Sequence, residues 1–220
     1  MLFSEMTVGN CNREAYDAAT AVVAQYPEKT ANPLFLWGRS GTGKTRLLKT
    51  IGCEVQGKQK TAKVLYQTTE EYVALMIASI KEEQDEILTS AYEGIDLLLL
   101  DNLEEIIAKD ATQGRLAEIL LLLERHCTQI VLAANCEKRG LRYLRNLLKD
   151  RCPAYREIDL QLLDEETISR EAMRYDRIII TDDYLELLKA GPRLNFFSLN
   201  GKLKSISALE LHLKDWKEQT

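Results

Sequence analysis

Two kinds of apolar pattern alternate along the first three quarters of the chain. Segments such as AYDAATAVVAQY (15–26) and GRLAEILLLLERHC (114–127) repeat apolar residues at intervals of three or four, which predicts helices. Short segments lie between them and predict strands: PLFLW (33–37), AKVLYQ (62–67), IDLLLLD (95–101), QIVLAAN (129–135) and REIDL (156–160). The uninterrupted aliphatic residues of IDLLLLD predict that this strand is buried. Strands separated by helices predict an α/β domain, a parallel sheet with helices on both faces.

From about Leu163 onward the strand pattern disappears, and the remaining segments predict helices. The last of them, 194–219, spaces six apolar residues at intervals of three and four, as one buried face requires: Leu199, Leu203, Ile206, Leu209, Leu213 and Trp216. We therefore predict an α/β domain over residues 1–162 and a small all-helical domain over residues 163–220.

The composition is that of a globular protein. Its 220 residues are 45% hydrophobic and 29% charged, and no apolar run approaches the roughly 20 residues of a membrane-spanning helix. An acidic residue among the first five positions is atypical of a signal peptide, and five cysteines without a C-x-x-C pair favour reduced thiols. These features predict a cytoplasmic protein that does not associate with a membrane.

The formal net charge of -5 disfavours a protein that coats nucleic acid through bulk electrostatics. One basic segment, between residues 137 and 156, has seven basic and two acidic residues. Within it, Arg142, Arg145 and Lys149 lie at i, i+3 and i+7, on one face of a predicted helix. That face is either solvated or a contact surface for a phosphate backbone or an acidic partner.

The segment GRSGTGKT matches the phosphate-binding loop G-x-x-x-x-G-K-[ST] in full, between a predicted strand and a predicted helix. Gly41 and Gly43 let the backbone turn its N–H groups towards a β-phosphate. Lys44 is placed to reach the β- and γ-phosphates, and the Thr45 hydroxyl to bind Mg²⁺. The predicted nucleotide-binding residues are those of this loop and the Arg that follows it: Gly38, Arg39, Ser40, Gly41, Thr42, Gly43, Lys44, Thr45 and Arg46.

The strand IDLLLLD ends in Asp101, which we predict to be the second magnesium-binding residue. In P-loop proteins this strand lies beside the strand of the phosphate loop. Taken alone, Asp101 has the alternative of ending an ordinary buried strand. Together the two motifs predict binding of ATP or ADP with Mg²⁺.

The order of these motifs resembles the AAA+ ATPase domain of the bacterial replication initiator DnaA family. The resemblance runs from about Thr7 to Trp216 and is carried by TVGNCNREA, NPLFLWGRSGTGKTRLLKTIG, VLYQTTEEYVALMIASI, GIDLLLLDNLEEI and QIVLAAN. It implies an AAA+ P-loop NTPase fold, with a five-stranded parallel sheet and a helical lid, and a role in initiation or regulation of DNA replication. A helicase-loader-type ATPase of the DnaC kind shares this core and is the close alternative; a small-molecule kinase is a more distant one.

The resemblance also implies roles for residues outside the phosphate loop. Val8 and Gly9 fall in the segment that contacts adenine in the family, and Asn135 corresponds to the first sensor residue near the γ-phosphate. Arg151 corresponds to the arginine finger that reaches a neighbouring subunit's nucleotide, which implies a homo-oligomer. The alternatives are a turn-capping role for Asn135 and a solvated surface position for Arg151.

Two positions depart from the family pattern. The family has an acid directly after the magnesium Asp, where this chain has Asn102, which cannot take a proton from the attacking water. The lid pattern N-x-R-E-L-E-G corresponds to NFFSLNG, which puts Phe197 in place of the second-sensor arginine. We therefore expect a nucleotide switch that holds ATP and Mg²⁺ but hydrolyses slowly or not at all.

The family implies partners among replication proteins: DnaA-like subunits, a helicase or a clamp. Relatives contact single-stranded DNA around residues 72–80 and Lys109. Acidic residues surround that region here, so we expect weak single-strand binding or none: Glu70, Glu71, Glu82 and Glu83. Full initiators carry a further helix-turn-helix domain that these 220 residues do not contain, so we expect no sequence-specific binding of duplex DNA.

Overall fold

A five-stranded parallel sheet forms the centre of the computed structural model, which describes residues 2–28, 31–82, 85–135, 138–175, 179–190 and 193–218. The strand order is β2-β3-β4-β1-β5, with every neighbouring pair parallel. The strands are β1 Leu34–Gly38, β2 Val64–Thr68, β3 Leu97–Asp101, β4 Gln129–Ala134 and β5 Arg156–Leu160. The predicted fold class is confirmed.

The helices account for the periodic segments of the sequence. They are α1 Arg13–Gln25, α2 Lys44–Lys58, α3 Thr69–Lys81, α4 Asp85–Ser90, α5 Asp110–Arg125, α6 Arg142–Arg151, α7 Glu165–Met173, α8 Asp182–Lys189 and α9 Phe196–Glu218. None of the helices in the described ranges combines the length and apolar character needed to cross a bilayer. Sequence periodicity did not predict the short helix α4.

Alternate residues of the strands pack into two separate cores, one on each face of the sheet. Leu34 and Leu36 of β1 pack with α1 and α2, whereas Phe35 and Trp37 pack with α5 and α6 on the opposite face. Both faces of β3 are covered, which is why its sequence is a continuous run of leucines. The prediction that the Asp101 strand lies beside the strand of the phosphate loop was wrong, because β4 lies between β3 and β1. The parallel strands still place Gly38, Asp101 and the end of β4 at one edge of the sheet.

A third core lies among α7, α8 and α9 and includes Leu199, Leu203 and Ile206. The prediction that Leu209 continues this buried face was wrong, because its side chain is 64% exposed. Among the described side chains, Ile206 is the last hydrophobic residue of α9 that belongs to this core. The side chains of Leu213 and Trp216 lie outside the described residues.

One residue of the predicted basic face on α6 is turned towards the sheet. The Arg145 Nε and Nη2 atoms donate to the two carboxylate oxygens of Glu157 on β5, at 2.6 and 2.8 Å. The guanidinium lies 5.4 Å from the Trp37 ring, and the Tyr155 hydroxyl donates to Glu157 at 2.6 Å. Arg145 therefore does not share a solvated face or a contact surface with Arg142 and Lys149, because the Glu157 carboxylate on β5 pairs with it.

Candidate nucleotide-binding site

A cavity of about 460 Å³ opens at the carboxyl ends of β1, β3 and β4. This edge is where ligands bind in open α/β sheets, and the volume suits a small organic ligand. Residues 40–45 of the phosphate loop and Arg46 after it form one wall. The rest of the lining is Met6, Thr7, Asn12, Leu47, Lys49, Asp101, Asn102, Glu104, Asn135, Leu160, Phe196, Phe197 and Asn200.

The phosphate loop has the backbone conformation that its glycines permit. Gly41 has φ +76° and Gly43 has φ +101°, both in the left-handed region that glycine adopts without strain. Gly43 is the N-cap of α2 and has no side chain with which to cap the first turn of that helix. The turn therefore leads directly into the N-terminus of α2 at the cavity wall, the arrangement that binds anions in proteins.

Lys44 is 7% exposed and lies under the loop. Its ammonium donates to the carbonyl oxygens of Gly38 at 2.7 Å and Arg39 at 3.0 Å. A phosphate oxygen is a stronger partner for a buried ammonium than a neutral carbonyl, because both partners are then charged. Gly38 and Arg39, which were predicted as nucleotide-binding residues, hold Lys44 but do not line the cavity.

Asp101 at the end of β3 is 2% exposed and is held by two hydrogen bonds. The Tyr66 hydroxyl donates to Oδ2 at 3.0 Å, and the Asn102 N–H donates to Oδ1 at 3.0 Å. Burial and the adjacent Asp101 charge raise the pKa of Tyr66 to about 12, so this hydroxyl stays protonated near neutral pH. The carboxylate is therefore oriented before any ion arrives.

The oxygen atoms at the cavity suit a Mg²⁺ ion that is bound partly by water and phosphate, rather than a metal ion bound by protein side chains alone. Thr45 and Asp101 both line the cavity and both offer the hard oxygen atoms that Mg²⁺ prefers. The described residues contain no cluster of three or more His, Cys, Asp or Glu that could hold a metal. This donor set suits a Mg²⁺ ion whose remaining ligands are water and phosphate oxygens.

Asn135, the predicted sensor, follows β4 and lines the cavity beside Asn102. Its backbone N–H donates to the Oε2 atom of Glu104 at 2.8 Å. Sequence reasoning missed Glu104, although it stands two positions after Asn102 in DNLEE. The indication in the sequence was weak, because Glu104 reaches the same cavity as Asn102 only if the backbone turns sharply between the two residues.

The N-terminal segment reaches the cavity through different residues from those predicted. Met6, Thr7 and Asn12 line it, whereas Val8 and Gly9 lie beside it, against α7. The Val8 carbonyl accepts a hydrogen bond from Arg170 at 2.9 Å, and the Gly9 N–H donates to Asn12 at 2.9 Å. Adenine contact by Val8 and Gly9 therefore stays a prediction.

The first turn of α9 contacts the phosphate loop directly. The Asn195 side chain donates through Nδ2 to the Ser40 carbonyl at 2.8 Å, and the Phe196 N–H donates to the Gly41 carbonyl at 3.0 Å. Phe197 lines the cavity and is 81% exposed, so an aromatic ring occupies the position matched to the second-sensor arginine. The lid thus reaches the loop through neutral hydrogen bonds.

Arg151 is the last residue of α6, is exposed and does not line the cavity. The cavity of one chain is therefore lined without any contribution from its own Arg151. A role as an arginine finger needs a second copy of the chain and stays a prediction.

Comparison with known proteins agrees with this architecture. A family model for the bacterial DnaA ATPase domain matches residues 1–159. The chromosomal replication initiator protein DnaA of Mycobacteroides abscessus is 32% identical over 209 residues, which are 94% of this chain. The chain spans 42% of the length of that relative.

Two solved structures of DnaA have the same fold. The crystal structure of domain III of the Thermotoga maritima replication initiation protein DnaA is 26% identical, has a TM-score of 0.81, and the match covers 97% of this chain and 90% of that one. A replication initiator DnaA bound to AMPPCP and single-stranded DNA is also 26% identical with a TM-score of 0.81, over 99% of this chain and 68% of that one. The fold, the family model and the sequence identity agree: this chain belongs to the bacterial DnaA ATPase domain family.

Proposed function

We propose that this protein binds ATP or ADP with Mg²⁺ and acts as a slowly hydrolysing switch in the initiation or regulation of DNA replication. The observation that carries the proposal is one cavity that joins the phosphate loop, Lys44, Thr45 and Asp101 to Asn102. The DnaA relative bound to AMPPCP supports a nucleotide as the ligand. Membership of the DnaA family supports the role in replication.

In this proposal, binding and slow turnover have one physical explanation. The loop N–H groups, the N-terminus of α2 and Lys44 all act on phosphate charge and need no proton transfer. When bound, Mg²⁺ would be held by Thr45 and Asp101 and would neutralise phosphate charge. Asn102 has the size and polarity of an Asp but cannot take a proton, which usually costs on the order of 10²-fold to 10⁴-fold in rate.

Nucleotide binding and turnover of the wild type and Asn102→Asp test this proposal. We expect ATP or ADP to bind with a dissociation constant of about 1 μM or less and turnover to stay well below ~1 s⁻¹. Asn102→Asp introduces the missing carboxylate and should raise turnover. Wild-type turnover of ~1 s⁻¹ or faster, unchanged in Asn102→Asp, would remove the reason for calling the protein a switch.

For single-stranded DNA we propose weak contact at most. The DnaA relative was solved bound to single-stranded DNA. In this chain Glu70, Glu71 and Glu82 are exposed along α3 and just after it, while Glu83 lies outside the described residues. Fluorescence anisotropy of labelled oligo(dT), titrated with the protein at increasing salt concentrations, measures the affinity for single-stranded DNA. A dissociation constant below about 1 μM that does not change with salt would contradict this proposal, because phosphate contacts weaken as the salt concentration rises.

The second candidate is a helicase-loader-type ATPase that remodels a replication partner. Arg151 is exposed outside the cavity of its own chain, where a neighbouring subunit could be reached. This function predicts hydrolysis that rises with protein concentration and is lost in Arg151→Ala but retained in Lys149→Ala, the matched change at another exposed cation of α6. A rate per molecule that does not change with concentration would exclude it.

A further inference from the structure

Glu104 is an acidic residue at the cavity that the phosphate-loop motif does not use. It lines the cavity together with Lys44, Asp101 and Asn135. Its Oε2 atom accepts the Asn135 N–H at 2.8 Å, and within the described ranges no hydrogen bond reaches Oε1 and no cation pairs with the carboxylate. One carboxylate oxygen is therefore available to a water molecule in the cavity.

The backbone after β3 directs Glu104 to this place. Asn102 has φ +60° and ψ +41°, a left-handed conformation that Asn tolerates better than most residues. It caps a 3-10 turn, Leu103–Ile106, whose first and last residues are fully buried. Glu104 lies between these two buried residues, so the sharp turn brings its side chain back to the cavity beside Asn102.

We propose that Glu104 activates the attacking water for the residual ATP hydrolysis of this site, a task that Asn102 cannot perform. The inference rests on the proposed function, because it requires ATP in the cavity. The water oxygen forms a bond to the γ-phosphorus while Glu104 takes one of its protons. The bond from the γ-phosphorus to the β,γ-bridging oxygen breaks, its electron pair leaves with ADP, and the proton passes from Glu104 to the released phosphate.

A purely structural role for Glu104 can be separated from this one by a single change. In Glu104→Gln the amide oxygen still accepts the Asn135 N–H, so the turn keeps its hydrogen bond, but the side chain cannot take a proton. A structural role survives this substitution, whereas proton transfer does not. Glu105→Gln is the matched control, because Glu105 is exposed in the same turn and does not line the cavity.

The experiment is single-turnover hydrolysis of radiolabelled ATP with Mg²⁺, alongside calorimetric ATP affinity and the thermal unfolding midpoint. We expect Glu104→Gln to lower the rate ~100-fold or more while the ATP affinity and the midpoint stay unchanged. Glu105→Gln should match the wild type. Asn102→Asp in the Glu104→Gln background should restore hydrolysis, because Asp also tolerates the left-handed conformation and supplies a carboxylate at the same wall.

Several results would overturn the role of Glu104. They are an undiminished rate in Glu104→Gln, a rate loss matched by lower ATP affinity or a lower unfolding midpoint, no recovery in the double variant, and wild-type hydrolysis no faster than that of Lys44→Ala. Each of these leaves ATP binding intact in the wild type. Absence of ATP binding by the folded wild type overturns the proposed function instead, so the two failures are distinguishable.

Discussion

Glu157→Gln tests whether the pairing of Arg145 with Glu157 joins α6, the helix that carries Arg151, to the sheet. The two side chains are 21% and 17% exposed, so solvent screens this pair less than a surface pair. Burial alone would raise the pKa of Glu157. The hydrogen bonds from Arg145 and Tyr155 and the charges of Arg145 and Lys138 outweigh burial and lower the pKa to about 2.

The pKa shift gives the size and the pH range of the expected effect. Lowering the pKa of Glu157 from 4.5 to about 2 corresponds to about 3 kcal/mol of folding free energy. Because the pKa is lower in the folded than in the unfolded state, this stabilisation is complete above about pH 4.5 and is lost as the pH falls towards 2. At pH 3.5 somewhat less than half of it should already be lost.

Urea unfolding of the wild type and Glu157→Gln at pH 7 and pH 3.5 measures this. At pH 7 we expect the free energy of unfolding of Glu157→Gln to be about 3 kcal/mol lower than that of the wild type. This difference should be smaller at pH 3.5, because the wild type loses stability on protonation of Glu157 whereas Gln does not titrate. Glu118→Gln removes an ion pair in which Glu118 is 68% exposed and should cost less than about 0.5 kcal/mol. Equal differences at both pH values, or a loss no larger than that of Glu118→Gln, would refute the reasoning.

Three further substitutions test contacts around the cavity. Asn195→Asp keeps the oxygen that caps α9 but removes the donor to Ser40, so stopped-flow release of a fluorescent ADP analogue should accelerate about fivefold. A Cβ atom on Gly9 would lie 1.8 Å from the Thr167 hydroxyl, so Gly9→Ala should lower the thermal midpoint by about 5 °C. Thr45→Ala should weaken ATP binding in calorimetry with Mg²⁺ but not with EDTA.

The sheet could be predicted from sequence because its strands carry a local signal. Leu97–Asp101 is buried on both faces, and a strand with no solvent side must be apolar at every position before its terminal Asp. The phosphate loop was equally visible, because Gly41 and Gly43 are required by backbone conformation rather than by neighbouring side chains.

Side-chain partners from other elements could not be predicted in the same way. Helical spacing gave the direction of Arg145 around α6, but only the packing of β5 against β1 brings Glu157 within reach. Glu104 depends on the left-handed turn at Asn102, which spacing does not reveal. Leu209 continues an apolar stripe past Ile206, and a stripe carries no information about where the core beside it ends.

Calorimetric titration of ATP with Mg²⁺ into the wild type, Lys44→Ala and Lys60→Ala tests the central claim most directly. Lys44 lies under the phosphate loop, whereas Lys60 is an exposed lysine just after α2 that does not line the cavity. We expect a dissociation constant of about 1 μM or less for the wild type and for Lys60→Ala, and at least ~100-fold weaker binding for Lys44→Ala. No heat of binding in the folded wild type, or the same affinity in Lys44→Ala, would contradict the account.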